Sequence, residues 1–379
     1  MIKLVSDTID KKDIKALTEW LNQDEIPRLT KGELTKELEE KWAKKLGTNY
    51  SVFVNSGSSS IFLTLAALKQ QGKLKNNKIV VPALSWATDL SSPMLLDFDI
   101  TLCDCNLQDL SCDLEHLEKI FKEQNPSILI LVSVLGLVPD MKRVVDLCKK
   151  YNVLLLEDVC ESMGSEFNNQ SLGTFGYASF FSMYFGHHLS TIEGGFINTD
   201  DEEFYYLLLM MRSHGWDRDL PEWKQEELRE KHNVDDFNAL YNFYVPGMNL
   251  RATDLQAFIG LRALDKLDSY STTRSILFSY YLDNINNNLH HRYRKGDFIS
   301  NFAFPILKEN RKEIIQNLID NNIEVRPLIA GNLARKTMWG GDTTNLPNAD
   351  LVNKNGFYVP NHQGLSMEDV DKIIKIINS

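Results

Sequence analysis

The sequence predicts an α/β fold, with a large domain built on a mainly parallel mixed sheet flanked by helices and a smaller α+β C-terminal domain. Three observations predict it. Short apolar runs of strand length alternate with amphipathic helical runs from residue 33 to 200, the pattern of parallel strands joined by crossover helices. Beyond about residue 255 the chain becomes helix-rich. At 379 residues it also exceeds one ordinary core, so two domains are expected. The expected division is 25–255 for the large domain, with 1–24 and 256–379 together forming the small one.

Residues 33–46 read as a helix closed by Gly47, a residue suited to a left-handed C-cap. A short strand over 51–54 leads through Asn55-Ser-Gly-Ser-Ser-Ser60 into a helix running to about Gln70. Residues 78–81 form a strand stopped by Pro82, and 113–121 a helix with Leu114, Leu117 and Phe121 on one face. The longest apolar run, Ile128 to Val138, is too short to span a bilayer and reads as a buried strand over 128–134. A helix over 141–151, a strand over 153–156, and strands over 175–181 and 195–199 follow, the last two flanking a loop with two histidines. The charged stretch 224–236 reads as a solvated helix. Strand candidates near Phe302 and Ile323 belong to the small domain, which N-terminal residues are expected to join.

Composition narrows the function. The balance of 41 basic and 52 acidic residues gives a net charge of −11, which disfavours nucleic acid as a partner. Residues 1–10 contain no apolar signal region, so secretion is not expected and a cytoplasmic location is. Five scattered cysteines suit a reducing compartment. Cys103, Cys105 and Cys112 cluster, but four ligands and paired motifs are the usual requirement for a metal or iron–sulfur site, so no metal is expected.

Ligands of such sheets bind beyond the carboxyl ends of the strands, and the chemical-looking segments fall there. The Ser-Gly-Ser run at 56–58 stands at a helix start, where free N–H groups and the dipole suit a phosphate; as residues alone it serves equally as an N-cap. Asp158 follows an apolar strand, where a carboxylate could pair with a ring nitrogen or simply cap a turn. Trp86 follows another strand and suits either ring stacking or core packing. Arg326 could bind a diphosphate or carboxylate in bidentate fashion, or lie on the surface.

The segment Phe181-Ser-Met-Tyr-Phe-Gly-His-His-Leu-Ser-Thr-Ile-Glu-Gly-Gly195 resembles the cofactor-attachment segment of the DegT-type, pyridoxal-phosphate-dependent nucleotide-sugar aminotransferases. Counting back from the glycines, His187 stands where that family carries the lysine that forms a Schiff base with the cofactor, and no lysine occurs between Phe181 and Gly195. An imidazole cannot form that bond but can move protons. The neighbouring His188 is set aside, because adjacent side chains of extended chain point to opposite sides. Further likeness lies in Asn55-Ser-Gly-Ser-Ser-Ser60, in Glu157-Asp-Val-Cys-Glu161, in Gly247-Met-Asn-Leu-Arg-Ala-Thr-Asp254 and in Ser213-His-Gly-Trp-Asp-Arg218. Together these span roughly residues 25 to 335.

The resemblance implies a fold-type I, aspartate-aminotransferase-like enzyme that holds pyridoxal or pyridoxamine 5'-phosphate noncovalently. It implies cofactor contacts from Gly57, Ser58, Ser59, Trp86, Asp158, Glu161 and Ser182, and from Asn249 reaching the neighbouring subunit of a homodimer with shared active sites. His187 is the implied catalytic residue, and His214, Arg218 and Arg326 the implied substrate contacts. The histidine branch of the family implies a lyase: L-glutamate generates the pyridoxamine form, and a GDP-4-keto-6-deoxy sugar, hexose or heptose, loses its C3 hydroxyl on the way to a dideoxysugar of surface polysaccharide such as lipopolysaccharide or capsule. Two alternatives remain, a CDP-4-keto-6-deoxyglucose 3-dehydratase-like enzyme and a noncatalytic binding protein of the same fold. An imidazole of ordinary pKa, near 6.5, would suit proton transfer at neutrality.

Overall fold

Apolar runs of five residues build the main sheet in the computed structural model, which describes residues 1–286, 296–341 and 344–379. Strands β1 (Tyr50–Val54), β2 (Lys78–Pro82), β3 (Asp99–Cys103), β4 (Ile128–Val132) and β5 (Leu154–Asp158) alternate with helices. A small hairpin, β6 (Glu166–Phe167) with β7 (Gln170–Ser171), precedes β8 (Ala178–Ser182) and β9 (Gly195–Thr199). The seven longer strands form one sheet in the order β1-β9-β8-β5-β4-β2-β3. Within it β9 runs antiparallel to both neighbours, and the remaining pairs are parallel. Helices cover both faces, so β4, β8 and β9 are buried at every position, and β4 reads as a continuous apolar run rather than an alternating one.

Element boundaries shift from the sequence expectations for local reasons. Pro82 does not stop β2 but ends it in register with Cys103, and the next amide, Ala83, supplies the ladder bond to the Cys103 carbonyl at 2.7 Å. Asp113 is the N-cap rather than the first turn of its helix, accepting from His116 N at 2.8 Å. The strand expected over 128–134 ends at Val132, because Val134–Gly136 tightens into a 3-10 turn with Leu135 at φ 52°. The strand expected from 175 begins at Ala178, because the buried Glu157 carboxylate captures the Phe175 and Gly176 amides at 2.7 Å each. The charged stretch 224–236 divides into helices Glu222–His232 and Asp236–Ala239, parted by Asn233 in the left-handed region.

A second sheet, β10 (Ala303–Leu307), β11 (Arg326–Pro327) and β12 (Gly356–Pro360), is antiparallel in the order β10-β12-β11. Helices Leu267–Asn284, Arg311–Asp320 and Met367–Asn378 accompany it in this half of the chain. The N-terminal residues attach here. Ile2 forms a parallel bridge with Ile323, Leu4 N donates to Glu324 at 3.0 Å, and Asp13 accepts from Arg262 at 2.9 Å.

The sheet's carboxyl edge is assembled by close backbone packing. Val54 pairs with Gly195, and Gly195 with Ser182, so the ends of β1 and β8 and the start of β9 lie level. Behind them Trp42 stacks on Phe196 at 5.3 Å and Phe53 on Phe196 at 4.8 Å. A Cβ on Gly195 would sit 2.5 Å from Gly57 N and from the carbonyl group of Ser56. Because backbone rather than a flexible side chain occupies that space, Gly195→Ala should destabilise the fold by about 1–3 kcal/mol. A thermal melt with an unchanged midpoint would contradict this packing.

Candidate active site

A cavity of about 490 Å³ opens at this carboxyl edge, within the size range of cofactor sites. Its floor begins at the N-terminus of helix Gly57–Gln71. Ser56 caps that helix, its Oγ accepting from Ser59 N at 3.0 Å. The Gly57 and Ser58 amides, like those of any first turn, have no intrahelical acceptor and face a site that suits an anion. A Cβ on Gly57 would fall 2.9 Å from Ser182 Cβ and 3.2 Å from Cys160 Sγ. Only glycine therefore lets the helix start approach the ends of β5 and β8 so closely. Ser58 Oγ lies 3.0 Å from Thr88 Oγ1, tying the turn to the segment after β2.

Trp86 stands at the start of helix Ala87–Leu95, on the cavity wall, and is 57% exposed. A tryptophan that open beside a cleft is an available stacking face. Asp158, the last residue of β5, also lines the cavity and is buried. Its Oδ1 accepts from Cys160 N at 2.9 Å, while burial raises its pKa against that bond. Glu161 accepts from Leu135 N at 3.0 Å, which braces the positive-φ turn after β4. Burial pushes the Glu161 carboxyl up to about 7, only partly offset by the Leu135 amide. Ser182 closes the same wall, its Oγ accepting from Tyr184 N at 3.3 Å.

His187 lines the cavity, and Tyr184 and Phe302 pack beside its ring at 6.3 and 5.4 Å. Its Nδ1 is buried and, among the described residues, has no hydrogen-bond partner. Burial brings the ring's pKa down to about 4; a hydrogen bond to the Cys160 carbonyl opposes this, and the Arg274 charge adds to it. The expectation of an ordinary imidazole near neutrality is therefore corrected: without a ligand the ring is neutral and reluctant to charge. His188 does not line the cavity; its Nε2 lies 2.8 Å from the Ser300 carbonyl in the interior. The reason is a turn, with His187 N bonded to Tyr184 O at 2.9 Å, and not the alternation of extended chain.

The remaining expected residues lie elsewhere in this chain. Ser59 spends its amide and its hydroxyl on the Ser56 cap. Asn249 is exposed and accepts from Arg251 Nε at 3.1 Å. His214 packs on Trp216 at 5.1 Å, and the Arg218 guanidinium covers the same tryptophan at 4.1 Å. Arg326 is exposed and lines an adjoining cleft of about 850 Å³ with the N-terminal residues 1–7. That cleft shares Val5, Tyr184, Gly186, Phe302 and Tyr358 with the cavity. Cys103, Cys105 and Cys112 are buried, and burial pushes the Cys103 and Cys105 thiols well up.

Sequence reasoning missed Val5, Thr88, Cys160, Phe302, Ile329 and Tyr358, all of which line the cavity. Cys160 sits inside a segment already singled out, Thr88 two residues after Trp86 and Ile329 three after Arg326. Val5, Phe302 and Tyr358 carry no local signal, because only the docking of the two chain ends brings them here.

A phosphate-ready helix start, a stacking indole and a buried carboxylate around one cleft define a fold-type I, aspartate-aminotransferase-like site, and the cofactor of that class fits it. The sequence matches the DegT/DnrJ/EryC1/StrS aminotransferase family over residues 7–378, and the chain belongs to that family. It is 34% identical to the GDP-4-keto-6-deoxy-D-mannose 3-dehydratase of Escherichia coli O55:H7, over 99% of this chain and 98% of that one. It is 31% identical to the enzyme of the same name from Yersinia pseudotuberculosis, over 99% and 97%. A crystal structure of GDP-4-keto-6-deoxymannose-3-dehydratase with a trapped PLP-glutamate geminal diamine superposes with a TM-score of 0.89, at 32% identity and full coverage of both chains.

The burial of Glu161 has a pH signature. Its folded pKa, about 7, lies above the unfolded value near 4.5, so ionising it costs folding free energy that appears as pH rises through that window. Glu161→Gln should therefore raise the stability of the cofactor-free protein by about 1–3 kcal/mol at pH 8, and the gain should fade toward pH 4.5. Denaturant titrations at the two pH values check this; an equal gain at both would contradict it.

Proposed function

We propose that this chain is a pyridoxal-phosphate-dependent 3-dehydratase of a GDP-4-keto-6-deoxy sugar, mannose or the corresponding heptose, that uses L-glutamate as amino donor. The observation that carries the reading is the cavity wall itself: His187 lines it and, among the described residues, no lysine does. The similarity to two enzymes of that name over nearly the whole chain supports the same reading.

Bound in the cavity, pyridoxal phosphate would supply an electron sink and, in its amino form, an amine suited to the sugar's C4 ketone. The Gly57 and Ser58 amides, with the Ser58 and Ser182 hydroxyls, would hold its phosphate. The Asp158 carboxylate would pair with the ring nitrogen, and the Trp86 indole would offer a face to the ring. Glu161 stands where it can hold a proton near neutrality. His187 moves the proton that elimination requires: its neutral ring accepts one and, charged, returns one to the departing C3 hydroxyl. A dianionic ligand in the same cleft favours the charged ring and raises its pKa from the ligand-free value.

Arg326 and the adjoining cleft serve the nucleotide, and His214 and Arg218 the sugar or the donor's carboxylate. Asn249 completes the phosphate site of a second copy in a homodimer. Supporting this, Phe237, Leu240, Tyr241, Phe243 and Met248 are all more than half exposed around the segment that carries it, an apolar surface that calls for a cover. We read residues 25–255 as one domain and 1–24 with 256–379 as the other, a division that the two separate sheets support. The enzyme acts in the cytoplasm; among the described residues no helix is long and apolar enough to cross a membrane.

His187→Asn should lower turnover of GDP-4-keto-6-deoxymannose with glutamate, read as ammonia release, by about 10²–10⁴-fold, with pyridoxal phosphate still bound. Turnover at the native rate would refute the role. His187→Lys should restore a borohydride-reducible link to the cofactor, and a variant that never acquires it would show that position 187 does not face the cofactor's aldehyde.

A further inference from the structure

Asp158 has a companion outside every expected motif. Asp89 lies in the first turn of helix Ala87–Leu95 and is fully buried. Its Oδ2 accepts from Ser85 Oγ at 2.7 Å. Its Oδ1 is buried and, among the described residues, meets no N–H or O–H donor. The two carboxyl groups of Asp89 and Asp158 are in hydrogen-bond contact. Two carboxylates cannot share a bond unless one carries a proton, and two adjacent buried negative charges are strongly disfavoured.

We infer that Asp89 is a positioning residue: a neutral carboxylic acid that donates its proton to Asp158 and fixes the carboxylate presented to the cavity. The other groups around the pair leave the proton with Asp89. Cys160, from the turn after β5, donates to Asp158 through its amide and its thiol, so Asp158 has the better-supported anion. Asp89 has the Ser85 hydroxyl and the Trp86 amide in support, but complete burial first and the Asp158 charge second outweigh them and hold it well above the usual carboxylate range. Glu161, from the same turn as Cys160, adds a further negative neighbour when ionised.

The arrangement also ties two walls together. Asp89 N bonds to Trp86 O at 3.2 Å, so one residue joins the loop that presents the indole to the carboxylate on β5. Resting on the functional reading above, this makes Asp89 the group that sets the direction of Asp158 toward the cofactor's ring nitrogen. A donor aimed at a carboxylate disperses its charge and limits its motion.

Infrared difference spectroscopy of the cofactor-free protein at pH 8 tests the proton, and pyridoxal phosphate titration tests the positioning. A neutral carboxylic-acid band should be present in the wild type and vanish in Asp89→Asn. That variant keeps an N–H donor, and should bind pyridoxal phosphate within about threefold of the wild type. Asp89→Leu, which has no donor, should bind it about tenfold or more weakly, the loss expected for one hydrogen bond to a charged group. If no acid band disappears with Asp89→Asn, or if the leucine variant binds as the wild type does, the inference is overturned. Should Asp89→Leu fail to fold, the band and the Asp89→Asn affinity still decide. A wild type that shows the band but binds no pyridoxal phosphate overturns the functional reading instead and leaves the acid pair standing.

Discussion

Withdrawal of ionisable groups from water at one sheet edge governs this molecule. Asp158, Asp89, Glu161 and His187 all sit where burial favours the uncharged form. Each would be costly in an empty hydrocarbon core. Here each has a partner that limits the cost: the Cys160 amide for Asp158, Ser85 for Asp89, the Leu135 amide for Glu161 and the Cys160 carbonyl for His187. A ligand carrying a phosphate, a ring nitrogen and a leaving hydroxyl would meet groups whose protons are poised rather than fixed.

The fold supplies that edge through backbone contact. Strands β1, β8 and β9 end or begin level, and Gly57 and Gly195 remove the carbons that would hold the helix start away. The opposite wall comes from the chain's two ends, where Val5, Phe302 and Tyr358 close over His187. The same docking makes the adjoining cleft continuous with the cavity. His187 and the groove that carries Arg326 thus share one boundary.

Much of this was legible in the sequence because the signals are local. The alternation of apolar strands with capped helices announces a parallel sheet; Asp158 ends a strand, and Trp86, Gly57 and His187 each follow one by a few residues. What stayed illegible depends on distant packing. The antiparallel course of β9 leaves no mark in a five-residue run buried on both faces. Arg274, which helps depress the His187 pKa, sits on a helix of the other half of the chain, so an imidazole taken at its ordinary value misleads. Asp89 reads as an unremarkable acid of a first helical turn until its burial beneath Asp158 is seen.

On the proposed reading, a histidine in place of a tethering lysine leaves the coenzyme to be held by cradle, stack and ion pair alone. Borohydride treatment of the wild-type protein loaded with pyridoxal phosphate, followed by intact-mass measurement, examines this most directly. The mass should equal that of the bare polypeptide, with the coenzyme recovered free on denaturation. A mass increased by one reduced coenzyme, on any side chain, would contradict the untethered site on which the proton-transfer role of His187 depends.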